Sequence, residues 1–305
     1  MRNTMAKRVF IDCDPGLDDA IALMVLASRA DVFRLEGITT VAGNQTIDKT
    51  FHNARRLAAH LGLKIPVAKG AEKPLKRPPL TAGDIHGEDG LAGMAVGEAA
   101  APPCPLSAVE LLRQRLPQGE PAVLFGVGPL TNLALLFAQY PEVKPHIDHL
   151  TIMGGSLSGG NVTPYAEFNF GADPDAASAV LHSGVPIRLL GLDVTHKAYL
   201  TDEEVRRFGA LGTRNGRMVG DLMEFYTVQN HRAGLPGTPI HDASAVLYEA
   251  EPALFPASRR LALDVVTCGE RQGECVLAPE AEPNVEFITE VNRARFVAAL
   301  MACCR

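Results

Sequence analysis

The sequence is short of the features that mark several large classes of protein. Its six cysteines, at positions 13, 104, 268, 275, 303 and 304, form no CxxC pair. That excludes a zinc site of the usual spacing and favours reduced thiols over a disulfide framework. Positive charge is scarce: 29 Lys and Arg face 35 Asp and Glu, a net charge of −6. Phosphate binding wants the opposite balance, so nucleic acid is not an expected partner. No apolar run is long enough to span a bilayer, and the opening "MRNTMAKRVF" leads into a short strand without an apolar signal region. Neither membrane nor export is expected. There is no internal repeat and no linker rich in Pro, Gly or Ser. The reading is a cytoplasmic protein with one domain over residues 1–305.

What is present is alternation. Apolar residues make up 47% of the chain, enough for a sizeable core. "RVFIDCD" (8–14) reads as a strand and "LDDAIALMVLASR" (17–29) as a helix. "LEGITTVAGN" (35–44) is β-branched, and "TIDKTFHNARRLAAHLG" (46–62) is helical, with Thr46 and Gly62 as expected caps. "KIPVAKG" is another strand. The same alternation returns at 122–140 and at 148–194. Beyond Thr195 the pattern turns helical, then closes with "LALDVVT", "NVEFITE" and a helix near 291–302. Strands alternating with helices predict an α/β fold: a mostly parallel central sheet with helices on both faces, a Rossmann-like variant with a partly helical C-terminal third. Two segments are too long and polar for plain connections, 70–93 and 154–172, and such loops in compact domains are usually functional.

In a parallel sheet the carboxyl ends of the strands face one crevice. The first strand is followed there by Asp12, Asp14, Asp18 and Asp19, with no Lys or Arg among them. Later strands bring Asn44, then Gly128, Thr131 and Asn132, then Asn161, Glu167 and Asn169, then Asp193 and Thr195. Some of these have plain structural readings. Asp18 and Asp19 suit the first turn of a helix, Asn44 suits a turn, and Asp173 suits an N-cap. His241 and Asp242 in "PIHDASAVLYEA" also read as a loop residue and an N-cap. The cluster at 12–19 resists such a reading, because buried carboxylates must pair, protonate or hold a cation. With no Cys/His cluster, a hard ion such as calcium or magnesium fits best. Period-two alternation puts Asp12 and Asp14 on one face and Cys13 in the core.

"DCDPGLDDA" (12–20), "VAGN" (41–44), "GPLTN" (128–132), "GGNVTPYAEFN" (159–169) and "HDASA" (241–245) occur in that order. Together, over nearly the whole chain, they resemble the nucleoside hydrolases of the inosine-uridine-preferring family. The resemblance implies hydrolysis of the N-glycosidic bond of a ribonucleoside, purine or pyrimidine, to ribose and free base. It implies one Ca2+ held by Asp14, Asp19, Asp242 and the backbone carbonyl of Val127, where family members often have threonine. A metal-held water would attack an oxocarbenium-like ribosyl group. Asp14 would be the general base. Asp18, Asn44, Asn161, Glu167 and Asn169 would clamp the ribose, with Met153 beside them. His241 would serve the leaving base as an acid, because histidine titrates in the useful range. His86 and Gln229 are further expected substrate contacts, with Tyr226, His231 and Arg232 on the same stretch as Gln229. That stretch, "EFYTVQNHRAGLPG" (224–237), reads as a flexible lid. The resemblance also implies a homodimer or homotetramer and a place in nucleoside catabolism and salvage.

Two other functions fit part of the pattern. The "DCD" pair suggests a haloacid-dehalogenase-like phosphatase, but Pro15 and Gly16 depart from that pattern. A non-enzymatic calcium- or nucleoside-binding protein would explain the acidic cage but leave Asp14 and His241 without a joint role.

Overall fold

The computed structural model describes residues 6–93, 97, 100–232 and 234–305. Strands β1 (Lys7–Cys13), β2 (Phe33–Thr40), β3 (Val67–Lys69), β4 (Pro103–Ser107), β5 (Ala122–Gly126), β6 (Ile147–Met153) and β7 (Ile187–Leu190) run parallel in one sheet. Val285–Glu290 adds parallel to β7, and Ala257–Leu261 closes that edge antiparallel. The order is Ala257–Leu261, Val285–Glu290, β7, β6, β5, β1, β2, β3, β4. β2, β3 and β4 lie to one side of β1 and β5, β6 and β7 to the other. The winding therefore reverses at β1, and a crevice opens beyond the ends of β1 and β5.

The strands are continuous apolar runs because both faces are covered. Val9, Phe10 and Ile11 of β1 are wholly buried, and separate apolar clusters pack on the two sides of the sheet. Helix α1 (Leu17–Ser28) is buried from Leu17 to Leu26, since it lies between the sheet and the helix Asp242–Ala250. Helix α2 (Ile47–His60) starts after Thr46 as expected, but the Thr46 side chain makes no capping bond, and Gly62 follows the end at φ +70°.

Several elements differ from the sequence expectation. β4 went unread, because "PCPLS" looks like a turn; two prolines are tolerated there because β4 is an edge strand. The helix Ala108–Arg115 behind it begins with a capping box in which Ser107 and Glu110 bond each other's backbone N–H. "LALDVVT" divides: Leu261 ends the sheet edge, and Leu263–Val265 pairs with Cys275–Leu277 in a separate ribbon. Most of 224–237 is not a loop; residues up to Arg232 continue the long helix Arg214–Arg232. All six cysteines are free, and no helix among the described residues is long and apolar enough to cross a membrane.

One buried carboxylate ties the helix Asp242–Ala250 to the sheet. Glu249 accepts from Lys7 Nζ at 2.9 Å, Thr151 Oγ1 at 2.9 Å and Arg188 Nη1 at 2.7 Å, and meets His149 Nε2 at 2.9 Å. Burial alone would raise its pKa, but the bonds from His149, Lys7 and Arg188 outweigh it and hold the carboxyl well below the usual range. Glu249→Gln is expected to cost roughly 2–3 kcal/mol. That is below the ~3–5 of a fully buried pair, since Lys7 and Arg188 are part solvated. A carboxyl depressed on folding stabilises above its unfolded pKa and loses that contribution as pH falls. The gap between wild type and variant should therefore hold from pH 7 to about 5 and close progressively below about 4. Urea titrations across that range measure it; a gap that widens in acid contradicts the assignment.

Candidate active site

β1 ends at Cys13, and the chain passes Asp14, Pro15 and Gly16 before α1 begins. Because α1 packs on the helix Asp242–Ala250, the first turns of the two helices meet. Asp18, Asp19 and Asp242 there each offer a carboxylate oxygen within 4.8 Å of the others. Asp242 is within hydrogen-bonding reach of both Asp18 and Asp19. Two helix N-termini turn their positive ends toward this charge and offset part of it.

Asp14 is held from two sides. Its Oδ2 accepts the Asn44 backbone N–H at 2.7 Å, while its Oδ1 is buried with no hydrogen-bond partner among the described residues. A Cβ on Gly43 would overlap Asp14 Oδ2, and one on Gly128 would stand 2.6 Å from Oδ1. Neither glycine has a positive φ, so both serve close approach. This accounts for the glycines of "VAGN" and "GPLTN". Asp19 accepts from the N–H of Asp14 at 3.1 Å and Gly16 at 2.9 Å, and from Asn44 Nδ2 at 3.0 Å. Asp12 is structural: its Oδ1 accepts from Thr39 Oγ1 at 2.5 Å and Asn132 Nδ2 at 2.8 Å.

Above these residues lies a cavity of ≈ 300 Å³. Asp18, Asn44, His86, Val127, Met153, Asn161, Glu167, Asn169, His241 and Asp242 all line it; Asp14 and Asp19 are wholly buried behind. The 154–172 segment folds back so that its polar residues face this space. Glu167 caps the short helix Phe168–Ala172, accepting from the N–H of Asn169 at 2.9 Å, Phe170 at 3.1 Å and Gly155 at 2.8 Å. Asn161 Oδ1 accepts from Phe168 N–H at 2.9 Å. Asn169 Nδ2 donates to the carbonyls of Val127 at 3.0 Å and Met153 at 3.1 Å.

Also lining the cavity are His86, on the short helix Gly83–His86, and His241, with Tyr226 of the long helix. His241 Nδ1 lies 2.8 Å from Thr195 Oγ1. Gln229 lies on the helix that replaces the expected loop; its Oε1 accepts from Arg232 at 3.3 Å, and it is not among the residues lining this cavity. His231 likewise pairs outward, with Asp202 at 3.2 Å. Thr81, Asp84, Ile85, Val162 and Phe168 line the cavity without having been singled out, since no motif marks them beyond the two long segments that hold them.

Electrostatics sort the residues. Burial raises Asp14 and Asp242 well above the usual carboxylate range, reinforced by their neighbouring aspartates, and raises Asp19 too. Burial and the Asp19 charge push Asp18 up to about 7, and burial pushes Glu167 to about 7 against its three N–H bonds. The Tyr226 hydroxyl is driven far up by burial and by Asp18 and Asp242. Burial pulls His86 down to about 4 and His241 to about 3. No Lys or Arg among the described residues lines the cavity, so a cation is the economical counter-charge. All the donors are oxygens, which suits a hard ion.

A carboxylate-lined cavity at the switch point of a doubly wound sheet is the arrangement of a small-molecule α/β enzyme. Comparison with known proteins agrees. The chain matches the inosine-uridine preferring nucleoside hydrolase family over residues 9–298. It is 40% identical over 302 residues to the pyrimidine-specific ribonucleoside hydrolase RihA of Shewanella woodyi, covering 96% of each chain. It is 42% identical over 303 residues to the protein of that name from Enterobacter sp. strain 638, again covering 96% of each. Among solved structures, a purine-preferring ribonucleoside hydrolase from Gardnerella vaginalis superposes with a TM-score of 0.90 at 27% identity. A plant nucleoside hydrolase, PpNRh1, does so with 0.92 at 26%, and each pairing covers 98% of both chains. The chain belongs to the inosine-uridine preferring nucleoside hydrolase family and is an enzyme that hydrolyses the N-glycosidic bond of ribonucleosides. That assignment replaces the phosphatase and the non-enzymatic binding protein.

Asn169 offers a test of the site's own architecture. Asn169→Leu keeps roughly the volume but leaves the Val127 and Met153 carbonyls short of a donor. The expected cost is about 1–3 kcal/mol, read by denaturant unfolding. An unchanged midpoint would mean those carbonyls are satisfied otherwise.

Proposed function

We propose that the protein is a Ca2+-dependent ribonucleoside hydrolase with a preference for pyrimidine bases. The observation that carries the metal is the buried, unpartnered Oδ1 of Asp14 beside three converging carboxylates. Asp14, Asp19, Asp242 and the Val127 carbonyl would hold the ion. Asp18 belongs to the same acidic group, but it lines the cavity, where a ribose hydroxyl can reach it. When bound, a calcium ion offsets the carboxylate charge and orients and acidifies a water.

The chain's own groups do the rest. Asp14 is the general base, oriented by the Asn44 N–H on its Oδ2. Breaking the bond builds positive charge on the ribose. Asp18 and Glu167, with the amide oxygens of Asn44, Asn161 and Asn169, stabilise that charge more than they stabilise neutral substrate. His241 acts at the leaving base. Because burial lowers its pKa to about 3, the uncharged ring helps by a hydrogen bond to the base. The pyrimidine preference draws support from the curated relatives at 40–43% identity, which carry the pyrimidine-specific name.

Ribose release from uridine, cytidine, inosine and adenosine tests the whole reading. Uridine or cytidine should exceed the purines in kcat/KM by about tenfold or more, ~1.4 kcal/mol. Faster purine turnover would overturn the base preference alone, and no ribose from any nucleoside would overturn the activity. Chelation should abolish turnover and lower Tm, with Ca2+ restoring both; full activity after verified metal removal contradicts the ion. Asp14→Asn should retain some metal but lose nearly all turnover. His241→Ala should lose ~10²–10³ in rate on a nucleoside and much less on nitrophenyl riboside, whose leaving group needs little help. Equal losses on both would place His241 in support of Asp242 instead.

A further inference from the structure

His86 makes a contact that its own loop does not explain. The backbone N–H of Leu17, first residue of α1, donates to His86 Nδ1 at 3.1 Å, across 69 residues of sequence. A backbone N–H can only donate, so Nδ1 must be the acceptor and the ring proton sits on Nε2. Nε2 has no protein partner among the described residues, and His86, otherwise buried, lines the cavity.

The N-cap of α1 makes this possible. A helix start normally satisfies its free N–H groups with the side chain of a Ser, Thr, Asp or Asn at the cap. Here the cap is Gly16, which has none. A Cβ on Gly16 would overlap His86 Nδ1 and stand 2.8 Å from both His86 Cε1 and Asn44 Nδ2. Gly16 has φ −111°, open to any residue, so space and not backbone conformation requires glycine. The imidazole fills the space a side chain on Gly16 would need and accepts the first N–H of the helix.

We propose that Gly16 is a positioning residue for base recognition: lacking a side chain, it lets His86 cap α1 through Nδ1, which fixes His86 as an Nε2–H donor for a base that offers a hydrogen-bond acceptor. The inference rests on the nucleoside hydrolase reading for its substrate, but not for its geometry. It also ties the 70–93 segment to the helix that carries Asp18 and Asp19.

The tautomer is read directly by long-range 1H–15N correlation on the 15N-labelled holoenzyme at pH 7, with His86→Ala identifying the signal. An unprotonated Nδ1 and a protonated Nε2 are expected; a protonated Nδ1 overturns the proposal. Kinetics supply the second arm, on uridine. Gly16→Ser brings its own cap and should displace the ring, so it and His86→Ala should each lose about 10²-fold in kcat/KM. The double variant should be no worse than His86→Ala. Additive losses would mean that Gly16 acts otherwise than through His86. If Gly16→Ser does not fold, the tautomer alone decides. Failure of wild type to release ribose from any nucleoside would sink the functional reading while leaving the spectroscopic result intact.

Discussion

Four carboxylates, those of Asp14, Asp18, Asp19 and Asp242, are buried together at the carboxyl end of the sheet, and no Lys or Arg among the described residues lines the cavity above them. Removing that much like charge from water is costly, and the surroundings are arranged around the cost. Two helix N-termini point at the group. Backbone N–H groups of Asp14, Gly16 and Asn44 bond two of its members. Gly43 and Gly128 leave room for the Asp14 carboxylate to be packed on both sides. Asp14 Oδ1 is left without a hydrogen-bond partner among the described residues.

The same constraint explains how the rest of the molecule is tied down. Asn132 donates to Asp12 and to the Thr40 carbonyl and accepts from Ala71 N–H, joining β1, β2 and the root of the 70–93 segment. Asp173 accepts from Thr131 Oγ1 at 2.7 Å and Leu75 N–H at 2.9 Å while capping the helix Pro174–Leu181. Gln45 and Asn53 fasten the far end at Gly87 and Asp89. His86 is therefore delivered by a segment anchored on both sides of it. On the opposite flank, Glu249 fixes the far end of the helix that presents His241 and Asp242. Placement of the acidic group thus depends on contacts well outside the cavity.

Much of this was legible in the chain. The strand–helix alternation, the parallel sheet and the crevice follow from period and spacing, because strands buried on two faces must be apolar throughout. Asp14, Asp18 and Asp19 stood out because they are close in sequence and have no basic neighbour. Asp173 was rightly read as a cap, because N-capping is a local interaction. β4 and the helix behind it were missed even though Ser107 and Glu110 carry a capping signature, because prolines in "PCPLS" outweighed it.

Sequence alone determined the elements, the acidic cluster of the first strand–helix turn and the motifs of its family, since each depends on residues a few positions apart. Only the tertiary structure decided which distant groups meet. It brought Asp242 against Asp18 and Asp19, set Gly43 and Gly128 around Asp14, and turned Gln229 away from the cavity while keeping Tyr226 in it. It also placed His86 Nδ1 on the Leu17 amide. These depend on where whole helices pack, and helix packing is fixed by the sum of many apolar contacts, none of which is written in the local spacing of the residues they bring together.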